Sequence, residues 1–163
     1  MTVSRLTSTR PAARSLMVLT MAFGFFGGVA GTGAAPAQAV VAVGVSAPVA
    51  SRALSITASK KGAPYLYGAV GPYKFDCSGL TKYAYARAGK TLPRTAAQQY
   101  AATIRVSKAS ARAGDLVFFM SGRSVYHMGI YAGAGRIWHA PRTGSYVKLV
   151  TIWTTAVTYG RVR

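Results

Sequence analysis

The sequence predicts an α+β fold, helices first and a small antiparallel sheet second, on three observations. Helix formers and helix stop signals fill the chain up to Ala102, while short β-branched and aromatic runs separated by glycine turns fill it after Gly114. The roughly 110 residues after Ser51 are enough to enclose one core and too few for two.

Residues 1–39 carry Arg5, Arg10 and Arg14, then the apolar stretch Leu16 to Ala30, then small residues ending Ala37-Gln38-Ala39. This three-part pattern predicts a secretory signal cleaved after Ala39. Gly24, Gly27, Gly28 and Gly31 break the apolar run, so no stable membrane anchor is expected. Residues 40–50 are Ala, Val, Gly and Pro without a defensible period and read as a flexible mature N-terminus ahead of a single domain over 51–163. Ser51 to Lys61, stopped by Gly62 ahead of Pro64, reads as a helix, and the Gly, Pro and Tyr rich stretch from Pro64 to Phe75 as a loop. Asp76 is placed to cap a helix running to Ala88 and closed by Gly89, with Cys77 in its first turn. A short helix is expected over Thr95 to Ala102. About five strands follow: Asp115 to Met120, His127 to Ala132, Arg136 to Ala140, Tyr146 to Ile152 and Ala156 to Val162.

Charge and scarcity narrow the chemistry. The chain has 20 basic and two acidic residues, and loss of three arginines with the leader still leaves 17 against two, or +15. Such a field favours polyanionic partners, whether nucleic acid, anionic lipid or a wall polymer. One cysteine excludes an intramolecular disulfide, and two acidic residues with two histidines cannot assemble a multi-ligand metal site, so no metal or other cofactor is expected. Paired-carboxylate chemistry is limited to Asp76 with Asp115. A lone thiol in an exported chain invites a functional explanation.

Cys77 has a reason to be reactive, because unpaired N–H groups and the dipole at a helix start favour a thiolate. A cysteine nucleophile needs a base that can later protonate the leaving group, and only His127 and His139 can provide it. They lie on adjacent predicted strands joined by a tight Gly133-Ala134-Gly135 turn, so one can act on the thiol while the other orients the first ring. A buried cysteine serving as a small hydrophobe and a histidine satisfied in the core are the bland alternatives.

Together PYLYGAVGPYKFDCSGL (64–80), LPRTAAQQY (92–100), GDLVFF (114–119) and HMGIYAGAGRIWHAP (127–141) resemble the NlpC family of papain-like cell-wall cysteine endopeptidases. The similarity spans Ser51 to the C-terminus. It implies a papain-like fold in which Cys77 attacks the scissile carbonyl, His127 is its base and His139 orients His127. It also implies that Tyr65 lies near the oxyanion and substrate site and that Asp76 and Ser78 anchor the substrate's amino end. The implied substrate is the peptidoglycan stem peptide, commonly cut between γ-linked D-glutamate, or its amide, and the following diamino acid. Arg94, with its planar fork, is a candidate to hold a substrate carboxylate. The expected partners are peptidoglycan and anionic wall polymers in a secreted, wall-associated setting, with nucleic acid disfavoured by the leader. Two rivals stand: a non-enzymatic basic protein that binds wall polymer or nucleic acid, motivated by charge and ten tyrosines, and an amidase or acyltransferase on the same scaffold.

Overall fold

The structure, a computed structural model, describes residues 44–163. The expected leader over 1–39 and its cleavage point lie outside those residues. Three α-helices, α1 (Ala47–Ser59), α2 (Cys77–Arg87) and α3 (Ala96–Ala101), precede the sheet. The strands are β1 (Thr103–Val106), β2 (Leu116–Ser121), β3 (Ser124–Gly133), β4 (Arg136–His139), β5 (Lys148–Thr151) and β6 (Val157–Val162). They form one antiparallel sheet of order β1-β6-β2-β3-β4-β5. The α+β order holds, and the sheet has six strands rather than five.

The additional strand is β1. Its four residues, TIRV, are too short for a clear alternation, and the preceding alanines read as helix up to the strand's first residue. Pairing with β6 defines it, from Thr103 opposite Val162 to Val106 opposite Tyr159. A second correction falls at the start. Residues 44–50 are not a free N-terminus, because α1 begins at Ala47 with Pro48 in its first turn, where a fixed φ and a missing N–H cost a helix nothing. Ahead of it the Val45 N–H donates to the Val162 carbonyl, and Ala50 is buried.

Period-two alternation divides the sheet into two faces. Leu116, Phe118, Met128 and Ile130 face the helices and form the main core with Ala53, Ala84, Tyr85 and Val162. Val117, Phe119, Ile137 and Tyr159 form a second cluster on the other face. Fully burying a side chain such as Phe118 contributes about 1.5–3 kcal/mol, so these layers dominate the fold's stability. Tyr85 ties helix to sheet through a 2.6 Å bond from its hydroxyl to the Gly114 carbonyl.

One of the two acidic residues is consumed here. Asp115 is buried just before β2 and accepts bonds from Arg161 Nε (3.0 Å), Arg161 Nη2 (2.9 Å) and the Arg112 N–H (2.8 Å). It joins the start of β2 to β6 and is unavailable for paired-carboxylate catalysis with Asp76.

Candidate active site

Asp76 and the first turn of α2 set the position of the thiol. The Asp76 carboxylate caps the helix through the Gly79 N–H (2.6 Å) and holds the loop before it through the Gly68 N–H (3.0 Å). Gly79 has no room for a side chain, since a Cβ there would lie 2.0 Å from the Ala69 carbonyl oxygen. The loop therefore packs directly on the helix start, and Cys77 is left half-buried at the surface.

Two antiparallel strands deliver the imidazoles. His127 pairs with Phe119 beside an irregularity at Phe119 and Met120, where Val125 rather than Tyr126 faces Met120. This bulge restores Val125 to the helix side and fixes which face His127 occupies. The register of β3 on β4, with Ile130 opposite Trp138, brings His139 diagonally toward His127. Gly129 permits the close approach, because a Cβ on it would fall 2.6 Å from the Trp138 carbonyl oxygen and 3.2 Å from His139 Cβ. His127 Nε2 and His139 Nδ1 are 2.8 Å apart, and both rings are almost fully buried, at 7% and 3% exposure. The backbone N–H of Met128, next to His127, lies close enough to the Cys77 sulfur to favour its charged form, as do those of Ser78 and Cys77 itself. Helix start and histidine strand thus meet at the thiol.

The electrostatics correct one expectation. Burial pushes the Cys77 thiol above its usual range and the Asp76 carboxylate pushes it further, while the three backbone N–H groups pull it down without prevailing. Burial lowers His127 to about 4. Burial first, then His127 and Lys148, lower His139 to about 3. At neutral pH the thiol and both imidazoles therefore rest uncharged, and the helix start does not leave Cys77 as a thiolate.

Arg94 also departs from expectation. Its guanidinium is paired with the Asp76 carboxylate and donates 2.9 Å to Ser78 Oγ, which itself donates 3.2 Å to Asp76. The carboxylate it holds is internal, so the fork is not free for one on a substrate. Burial would raise Asp76, but bonds from Arg94 and from the Gly79 and Gly68 N–H groups hold its carboxyl below the usual range. Tyr65 is close enough to Cys77, Asp76 and Arg94 for their charges to act on its hydroxyl; burial first, then Cys77 and Asp76, raise its pKa. Its loop is pinned by the Tyr65 N–H on the Ser145 carbonyl, at 2.8 Å.

One neighbour went unread in the sequence. Trp153, half-exposed in the β5–β6 connection, stacks on Phe119 at 4.1 Å and lies 5.5 Å from His139 and 6.1 Å from His127, centroid to centroid. Its other surroundings are a cavity of about 700 Å³ lined also by Thr154, Thr158 and Tyr159. Among the described residues no cluster of His, Cys, Asp or Glu could hold a metal, and no helix is long and apolar enough to cross a membrane.

The sequence profile of the NlpC/P60 family matches residues 62–160. The chain is 51% identical over 83 residues to the probable endopeptidase p60 of Listeria monocytogenes, covering 51% of this chain and 17% of that protein. It is 43% identical over 110 residues to the bifunctional muramidase/DL-endopeptidase CwlT of Bacillus subtilis, covering 63% of this chain and 33% of that protein. It therefore spans a third or less of these two relatives. The crystal structure of the NlpC/p60 domain of the peptidoglycan hydrolase SagA matches at a TM-score of 0.63 and 31% identity, over 70% of this chain and 98% of that one. The peptidoglycan hydrolase RipB from Mycobacterium tuberculosis matches at 0.62 and 28%, over 71% of this chain and 64% of its own. By a profile match that takes in most of the described residues and by a shared fold, the chain belongs to the NlpC/P60 family of cysteine peptidases.

Proposed function

We propose that the protein is a secreted cysteine endopeptidase that hydrolyses peptidoglycan stem peptides through Cys77, His127 and His139. The observation that carries the reading is the 2.8 Å contact between His127 Nε2 and His139 Nδ1, on the strand whose Met128 N–H acts on the Cys77 thiol. With the His127 Nε2–H donating to His139 Nδ1, Nδ1 of His127 is left as an acceptor for the thiol proton. As the sulfur attacks the carbonyl carbon, that proton moves to His127 and negative charge develops on the carbonyl oxygen. The Cys77 N–H, which acts on the sulfur in the resting site, and the Tyr65 hydroxyl are suited to stabilise it. His127 then gives its proton to the departing amine, leaving a thioester on Cys77. Water, deprotonated by His127, hydrolyses the thioester and restores the thiol.

His139 acts by orientation, and Trp153 covers the histidine pair. The neutral resting state suits this scheme, since the imidazole takes the proton only as the sulfur attacks. Asp76 and Ser78 are buried and locked together by Arg94, and their assignment to the amino end of the stem peptide rests on the family resemblance. The bond we assign is that between D-glutamate, or its amide, and the diamino acid, in keeping with the DL-endopeptidase named among the relatives. Secretion rests on the leader pattern in residues 1–39.

Digestion of purified sacculi with the mature protein, with released fragments identified by mass, tests the bond. Fragments ending in the D-glutamyl carboxyl are expected. Intact stem peptides freed from the glycan would instead make the protein an amidase.

A further inference from the structure

The chain has two carboxylate side chains, and both are committed: Asp76 to Arg94 and Asp115 to Arg161. Every other cation among the described residues lacks an acidic side-chain partner. In one place three of them converge. Arg52, Lys60 and Arg87 line a concavity of about 290 Å³ between α1 and the C-terminal half of α2, together with Ile56, Ser59 and Tyr83. Lys60 Nζ lies 5.1 Å and the Arg87 guanidinium carbon 5.3 Å from the centroid of the same Tyr83 ring. Each is attracted to the ring, but two cations on one ring repel each other, and Arg52 adds a third charge. Tyr83 is itself held by edge packing on Phe75, at 5.3 Å. The groove is a shallow, solvent-open concavity in which three cations gather around one aromatic ring.

We infer that this groove binds a phosphodiester polyanion, a polyol phosphate chain of the kind carried on cell walls. Two guanidinium forks and an ammonium suit phosphate oxygens, and three charges in so small a volume exceed what a single carboxylate neutralises. Tyr83 and Ile56 give the carbon linkers between phosphates an apolar surface. Ten residues of α2 separate Arg87 from Cys77, about 15 Å at the helical rise, so the polymer and the scissile peptide occupy opposite ends of one rigid element. The groove anchors the enzyme to the wall while leaving the thiol free. The polymer's source rests on the wall-directed reading above; the phosphodiester chemistry rests on the groove.

The test is calorimetric binding of poly(glycerol phosphate) to the mature chain and to two variants that lose equal charge. One is Arg52→Gln/Lys60→Gln/Arg87→Gln; the other neutralises the exposed Arg123, Arg136 and Arg163 elsewhere. The groove variant is expected to weaken binding about tenfold or more and the control only about twofold, with both cleaving a soluble stem peptide at the wild-type rate. Equal weakening in the two variants would reduce the effect to net charge and overturn the site. Binding to phosphatidylglycerol vesicles but not to the free polymer would overturn the wall source in favour of lipid. Should the triple variant misfold, as its peptide cleavage would report, the single Arg87→Glu carries the same expectation. Loss of peptide cleavage in the wild type would refute the enzymatic reading and leave the binding result standing.

Discussion

At the scale of single residues, the assignment of roles separates the two histidines. His127→Ala should lower kcat by about 10³-fold with KM little changed, since the base is lost. His139→Ala should cost less, and His139→Asn should recover part of it, because an amide oxygen can still accept the His127 Nε2–H; equal losses in the alanine and asparagine variants would contradict an orienting role. Asp76 tests the electrostatics. Its charge raises the Cys77 pKa, so Asp76→Asn should move the thiol's apparent pKa down, read from the pH dependence of alkylation by iodoacetamide. Cys77 and the two histidines were legible as candidates because the chain offers no others. The direction of the thiol's pKa was not, because helix position is written in sequence whereas burial is a property of the packed domain. Arg94 was misread for a similar reason: its partner lies 18 residues away and meets it only once the loops close over α2.

At the scale of elements, the strand pair and the β5–β6 connection carry the site. Gly129→Ala should push β4 away and lengthen the histidine contact, lowering kcat about 10²-fold, and because the added methyl meets backbone it should also lower the melting temperature by about 5 degrees or more. Trp153→Ala should admit water to the pair. Its removal relieves the burial that holds His127 near 4, so the imidazole pKa measured by NMR should rise toward the usual 6.5. An unchanged pKa would deny Trp153 a covering role. The helices and five of the strands followed from glycine stops, an aspartate cap and β-branched runs. What escaped was the early start of α1 and what tertiary packing alone defines: β1, and the place of Trp153 beside the two histidines.

At the scale of the whole molecule, the buried neutral histidines couple stability to pH. Their folded pKa values, about 4 and about 3, lie below the unfolded value near 6.5, so the unfolded chain binds more protons as pH falls through that window. The stability of the mature chain should therefore be level above about pH 6.5 and decline steadily toward pH 4. A His127→Ala/His139→Ala variant should show a flatter melting profile over the same range. The basic surface was legible as a number and not as a place, because only folding brings Arg52, Lys60 and Arg87 around one tyrosine. The central claim remains the thiol, and the most direct measurement sets the wild-type protein beside Cys77→Ala on purified sacculi under reducing conditions. The account predicts peptide release by the first and none above background by the second, with both folded by circular dichroism. Equal release by the two would contradict it.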